Sequence, residues 1–173
     1  ISLASPEHVA QARFRLGHLR EREFNQPLDA FDLYRQVILE QPDHRGATEA
    51  LERLIEQESL RPDVCDLLET AYTQTEAWQK LAQLLKFKLD YLVDATHERA
   101  DIMRRVGTLQ LQRLDDPASA FQFFGMALSE DPFDLSAQES LESLTAEHQY
   151  WPSIVDLYEQ LIPNCDVPIR QSE

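Results

Sequence analysis

Shifted by 90 positions, the sequence falls on itself without a gap. Ala10, Arg15, Gly17 and Leu19 meet Ala100, Arg105, Gly107 and Leu109. Pro27, Ala30, Phe31, Glu40 and Pro42 meet Pro117, Ala120, Phe121, Glu130 and Pro132. Ala47, Glu49, Leu51, Glu52 and Leu54 meet Ala137, Glu139, Leu141, Glu142 and Leu144. Pro62, Asp66, Leu67 and Glu69 meet Pro152, Asp156, Leu157 and Glu159. These 18 identities over roughly 60 positions define two copies, about 10–69 and 100–159. A duplicated unit of this length is the signature of a repeat architecture.

A second echo has another spacing. Glu76-Ala77-Trp78-Gln79-Lys80-Leu81 resembles Gln149-Tyr150-Trp151-Pro152-Ser153-Ile154 at an offset of 73. Leu81, Leu84 and Leu85 follow Trp78 at helical spacing, as Ile154, Leu157 and Tyr158 follow Trp151. The two offsets differ by 90 − 73 = 17 residues. That is one helix plus its connection, so the first copy carries an additional helix.

Apolar residues recur three and four apart, the period of an amphipathic helix. Ala30, Phe31, Tyr34, Val37 and Ile38 form one stripe; Ala120, Phe121, Phe124, Ala127 and Leu128 form its copy. Ser5-Pro6 and Asp116-Pro117 read as a cap residue followed by proline in the first turn. Pro42 and Pro132 mark later connections. The spacing predicts helices over 6–23, 27–41, 45–58, 61–73, 75–93, 96–114, 117–130, 134–147 and 150–162, and no strand. Such short connections make consecutive helices pack side by side and antiparallel. The expected fold is all-α, a solenoid of about nine antiparallel helices in which each pair covers its neighbour. Trp78, Trp151, Phe31, Phe121, Phe124 and Tyr34 are expected to pack between helices. Four helices separate the equivalent 6–23 and 96–114, so strict alternation would point them in opposite directions. A break or change of superhelix is therefore expected near 75–93.

The order of these residues resembles the tetratricopeptide (TPR) repeat. Leu16-Gly17, Ala30, Tyr34, Val37 and Pro42 follow its pattern, and Val106-Gly107, Ala120, Phe124, Ala127 and Pro132 follow it more closely. Both copies have one residue more than the pattern between glycine and alanine. The units 45–73 and 134–162 lack the Leu-Gly pair. The resemblance covers about 10–162 and is similar to long degenerate TPR arrays in large bacterial proteins. It implies close helix approach at the glycines and a neighbouring helix against the alanines. It implies a fold, not a particular partner.

Composition narrows the function. Lys plus Arg total 16 against 31 for Asp plus Glu, a formal charge of −15. That argues against nucleic acid, which needs clustered cations. No apolar run is long enough to cross a membrane. His8, His18, His44, His97 and His148 have no metal-ligand spacing, and no phosphate-loop or nucleophile-elbow string occurs. Asp115-Asp116 before Pro117 reads as a helix cap. Cys65 and Cys165 form no Cys-x-x-Cys pair; they read as a small helix residue and a tail residue. Arg13, Arg15, Arg20 and Arg22 form the one basic string and read as a solvated face with ion pairs. The sequence therefore reads as a non-enzyme that needs no cofactor or metal. Ile1 opens the chain without methionine, and the residues after it lack signal-peptide features. The segment 1–173 reads as one solenoid segment of a longer chain, with a short tail at 163–173.

The resemblance also implies a concave groove. Its positions fall on Gln11, Phe14, His18 and Glu21 in the first copy and on Asp101, Arg104, Thr108 and Leu111 in the second. The looser units offer Glu49, Arg53, Glu139 and Ser143. Phe14 would be either an aromatic anchor for a peptide or a packing residue. The leading expectation is a scaffold that binds a protein or peptide, of basic or neutral character given the acidic surface. The alternative is a structural spacer that associates end to end through 150–162, where Trp151, Ile154, Leu157, Tyr158 and Leu161 lie.

Overall fold

The computed structural model describes residues 6–92 and 95–165. The Ser5 cap, the end of the 75–93 span and the tail beyond 165 lie outside the described residues. Among those described there are nine α-helices and no strand: α1 (Pro6–Arg22), α2 (Pro27–Glu40), α3 (Arg45–Leu54), α4 (Arg61–Gln74), α5 (Trp78–Tyr91), α6 (Thr96–Gln112), α7 (Pro117–Glu130), α8 (Leu135–His148) and α9 (Trp151–Cys165). The described residues form an all-α helical array in which consecutive helices pack on one another from α1 to α4 and from α6 to α9. The chain divides within α5 into two compact units, residues 1–84 and 85–173.

Local chemistry sets the helix ends. The Asp116 carboxylate accepts the Ser119 backbone N–H at 3.0 Å, with Pro117 opening α7. Asp134 accepts the N–H groups of Ser136 and Ala137 at the start of α8. His44 does the same for α3 with its Nδ1, 3.1 Å from Ala47 N. Each satisfies a donor that has no partner inside its helix.

Both sequence spacings return in the backbone. Asn25 and Asp115, 90 apart, have φ of 51° and 52° and turn the chain after α1 and α6. Glu76 and Gln149, 73 apart, have φ of 55° and 58° and precede α5 and α9. The left-handed Glu76 also explains why α5 starts at Trp78 rather than at 75. α3 stops at Leu54, short of the expected 58, because the chain turns there and Arg61 Nε caps the Ile55 carbonyl at 3.2 Å. α9 runs on to Cys165, past the expected 162.

In unit 1, α1 packs closely on α2. Gly17 allows this, since a Cβ there would stand 2.7 Å from Tyr34 Cε1. Ala30, Tyr34, Val37, Ala47, Ala50 and Leu51 complete a core without solvent exposure. In unit 2 the same architecture uses Ala120, Phe124, Ala127, Leu128, Ala137 and Leu141. Phe31, Tyr34 and Phe124 pack between helices, Phe121 is half-buried edge-on to Tyr150, and Trp78 is half-buried. Trp151 corrects the expectation for the aromatics. It is 57% exposed, because the side of α9 that meets α7 and α8 is supplied by Ile154, Leu157 and Leu161.

Candidate functional site

In unit 1, α1, α2 and α3 bring three charged or polar groups together. The Tyr34 hydroxyl donates to Glu21 Oε2 at 2.7 Å. Arg53 on α3 reaches the same carboxylate, with Nη2 3.3 Å from Oε2 and Nε 3.4 Å from Oε1. Its Nη1 also donates to the Glu49 carbonyl at 3.1 Å. Burial, then the Glu21 carboxylate, raises the Tyr34 pKa well above that of a free tyrosine. Glu49 itself pairs with Arg45, one turn earlier, at 2.6 Å.

Phe14 is not an exposed anchor in unit 1. Its ring is half-buried, with centroids 5.9 Å from Tyr34 and 5.0 Å from His44, and it lies against Gly46. His18 is exposed one turn along α1, and Gln11 is exposed one turn before Phe14. The equivalent pair in unit 2 is ionic. Arg104 replaces Phe14 and Asp134 replaces His44, and Arg104 Nε stands 3.4 Å from Asp134 Oδ2. Arg104 also bonds Asp101 one turn earlier in α6, so one of these expected groove residues reaches the cap of α8 and the other braces it.

Thr108 and Leu111 meet Glu139 and Ser143 around one cleft between α6, α7 and α8. Its volume is about 300 Å³. Phe124 and Leu144 add apolar wall, and Ser140 and Glu147 add polar edge. The Thr108 hydroxyl is used by the Arg104 carbonyl at 3.0 Å. Glu139, Ser143 and Glu147 lie along one exposed face of α8, four residues apart. Four residues named from sequence thus line a single cavity.

A second polar cluster escaped the sequence reading. Glu52 Oε1 accepts from the Tyr72 hydroxyl at 2.6 Å and from Lys80 Nζ at 2.7 Å. Burial opposes ionisation of Glu52, but these two donors prevail and hold its pKa below the ordinary value. Burial and Glu52 together raise Tyr72. The cluster edges a pocket of about 380 Å³ that also includes Arg45, Glu49 and Thr75. The invariance of Glu52 and Glu142 between the copies is the one sequence signal for it. Tyr158 donates to Glu142 at 3.3 Å, from a position one helical turn before the equivalent of Tyr72.

Three arginines of the basic string on α1, Arg13, Arg20 and Arg22, are met by acids or by one amide. Arg13 bonds Glu40; Arg20 bonds Gln26 at 2.6 Å and lies 3.5 Å from Asp29; Arg22 lies 3.8 Å from Glu21. Cys65 is buried within α4. Among the described residues, no group of three or more His, Cys, Asp or Glu could hold a metal ion, and no helix is long and apolar enough to cross a membrane. No family model matches the chain, and no curated protein matches it.

Proposed function

We propose that this chain is a non-catalytic scaffold of the tetratricopeptide kind that docks a segment of a partner protein on the inner face of its helices. The α6–α8 cleft carries this reading. It gathers Thr108, Leu111, Glu139 and Ser143 around about 300 Å³, near the lower limit of pockets that bury a ligand. It offers no nucleophile–base pair, so its chemistry is recognition. The net charge of −15 favours a basic or neutral partner and speeds its approach at low salt.

The test places a steric block in the cleft. Ser143 is exposed, so Ser143→Trp should leave helicity and melting unchanged. Affinity capture with the whole chain should lose its partner with this variant. Unchanged capture by Ser143→Trp overturns the reading.

One observation favours a second reading, self-association. Trp151, Val155 and Ile162 are each more than half exposed and lie on one face of α9. Sedimentation of wild type and Trp151→Ser/Ile162→Ser decides it. A dimer lost in the variant supports the second reading, and a monomer at all concentrations removes it.

A further inference from the structure

The two copies treat the same cleft differently. At the 90-residue offset, Arg53 corresponds to Ser143, Glu21 to Leu111, Tyr34 to Phe124 and Arg45 to Leu135. Unit 1 fills its cleft with its own arginine, whose guanidinium spans Glu21 and the Glu49 carbonyl. Unit 2 has a serine there, and the space of about 300 Å³ is open.

One acid is kept and another is lost: Glu49 persists as Glu139, while Glu21, the carboxylate that Arg53 meets, becomes Leu111. Glu49 and Glu139 are identical between copies, yet the positions of both Arg45 and Arg53 are uncharged in unit 2. Glu147 adds a second carboxylate one turn beyond Ser143, where unit 1 has Gln57. Among the described residues, neither Glu139 nor Glu147 is paired with a cation. Behind them, Leu111, Leu144 and the Phe124 ring form an apolar wall.

We propose that the α6–α8 cleft takes the side chain of an arginine from a partner polypeptide, which enters the space that Arg53 fills in unit 1 and meets Glu139 and Glu147 where Arg53 meets Glu21. This rests on the docking reading above and names the residue the cleft selects. An aliphatic stem would cover Leu111 and Leu144 while the head stays at the wet edge. A planar guanidinium offers several donors at fixed angles, which suits two carboxylates separated by Ser143. An ammonium offers one compact charge, and a norleucine offers none.

The test is an NMR titration of the whole chain with three blocked tripeptides, Ala-Arg-Ala, Ala-Lys-Ala and Ala-norleucine-Ala. The arginine peptide should move the Thr108 and Ser143 amides saturably at millimolar concentration, with lysine weaker and norleucine inert. Glu139→Gln/Glu147→Gln should weaken arginine binding about tenfold, the scale of one charge-assisted hydrogen bond. Ser143→Arg, which installs the plug of unit 1, should abolish binding and leave the thermal melt intact. Equal binding of norleucine and arginine, or full affinity in the double glutamine variant, overturns the arginine assignment and leaves the docking reading standing. If no peptide moves these amides, the assignment also falls; the docking reading falls with it only if Ser143→Trp captures its partner unchanged.

Discussion

Gly107 lies under the ring of Phe124 so closely that a Cβ on it would stand 2.8 Å from Cε1. Phe124 is 1% exposed and belongs to the buried core of unit 2. Gly107→Ala gains helix propensity of about 1 kcal/mol but overpacks the α6–α7 contact by about 1–3 kcal/mol. Net destabilisation is the expected result in urea denaturation. Gly107→Ala should become less harmful in a Phe124→Leu background. Equal effects in both backgrounds would show that the ring does not set the limit.

The Tyr34–Glu21–Arg53 group should behave as a unit. Tyr34→Phe leaves a carboxylate that is only 12% exposed without one of its donors. The expected cost is about 1–2 kcal/mol, since Arg53 still pairs with it. Adding Glu21→Leu and Arg53→Ser recreates the combination found in unit 2 and should recover most of the loss. Strict additivity of the three changes in chemical denaturation would contradict the coupling.

Thr145 should tolerate a nonpolar replacement. Its hydroxyl is fully buried and finds no hydrogen-bond partner among the described residues. Thr145→Val keeps the shape and removes the stranded group, which costs about 1 kcal/mol or more when buried. Calorimetry should show a melting temperature higher by roughly 2–4 °C. A lower melting temperature would mean that the hydroxyl has a partner in solution.

The tyrosines predict a loss of stability in alkali. Burial first, then a neighbouring carboxylate, raises Tyr34 and Tyr72 above the ordinary tyrosine value. The folded chain therefore holds these protons more tightly than the unfolded chain. The stabilisation is complete below pH about 10 and is lost as pH rises beyond it. Tyr34→Phe/Tyr72→Phe should flatten that alkaline limb, followed by helicity at 222 nm and phenolate absorbance together. An unchanged slope would count against it.

Glu52 gives the opposite limb. Its lowered pKa means that its contribution is present above the ordinary carboxylate value, about 4.3, and is lost as pH falls through the folded value. Glu52→Gln should be less stable than wild type at neutral pH and equal to it in strong acid. A constant difference across the whole range would show that Glu52 acts through packing alone.

Helix positions were legible in the sequence because the apolar period and the prolines both act locally. The duplication added more: Gly17 and Gly107 share one packing role, and Asn25 and Asp115 share one backbone angle. The ends that moved, at Leu54 and Trp78, depend on a side chain six residues away and on a left-handed glutamate, neither of which has a hydrophobic period. At the site, Thr108, Leu111, Glu139 and Ser143 were named through the resemblance, and they line one cleft. Phe14 and Arg104 were not distinguishable from them by the resemblance. What separates them is the residue opposite, His44 or Asp134, which lies about 30 positions away. The Glu52 cluster spans three helices and leaves no local pattern.

Among the described residues, the four at positive φ are asparagine, glutamate, aspartate and glutamine, and none is glycine. A side chain at such an angle costs about 1–2 kcal/mol, less for asparagine and aspartate, and narrows the conformations open to that corner. Each corner is a fixed crease, whereas a glycine would make it a swivel. For the docking proposed above, the local spacing at these corners is already set, and little ordering of them would remain to be done on contact.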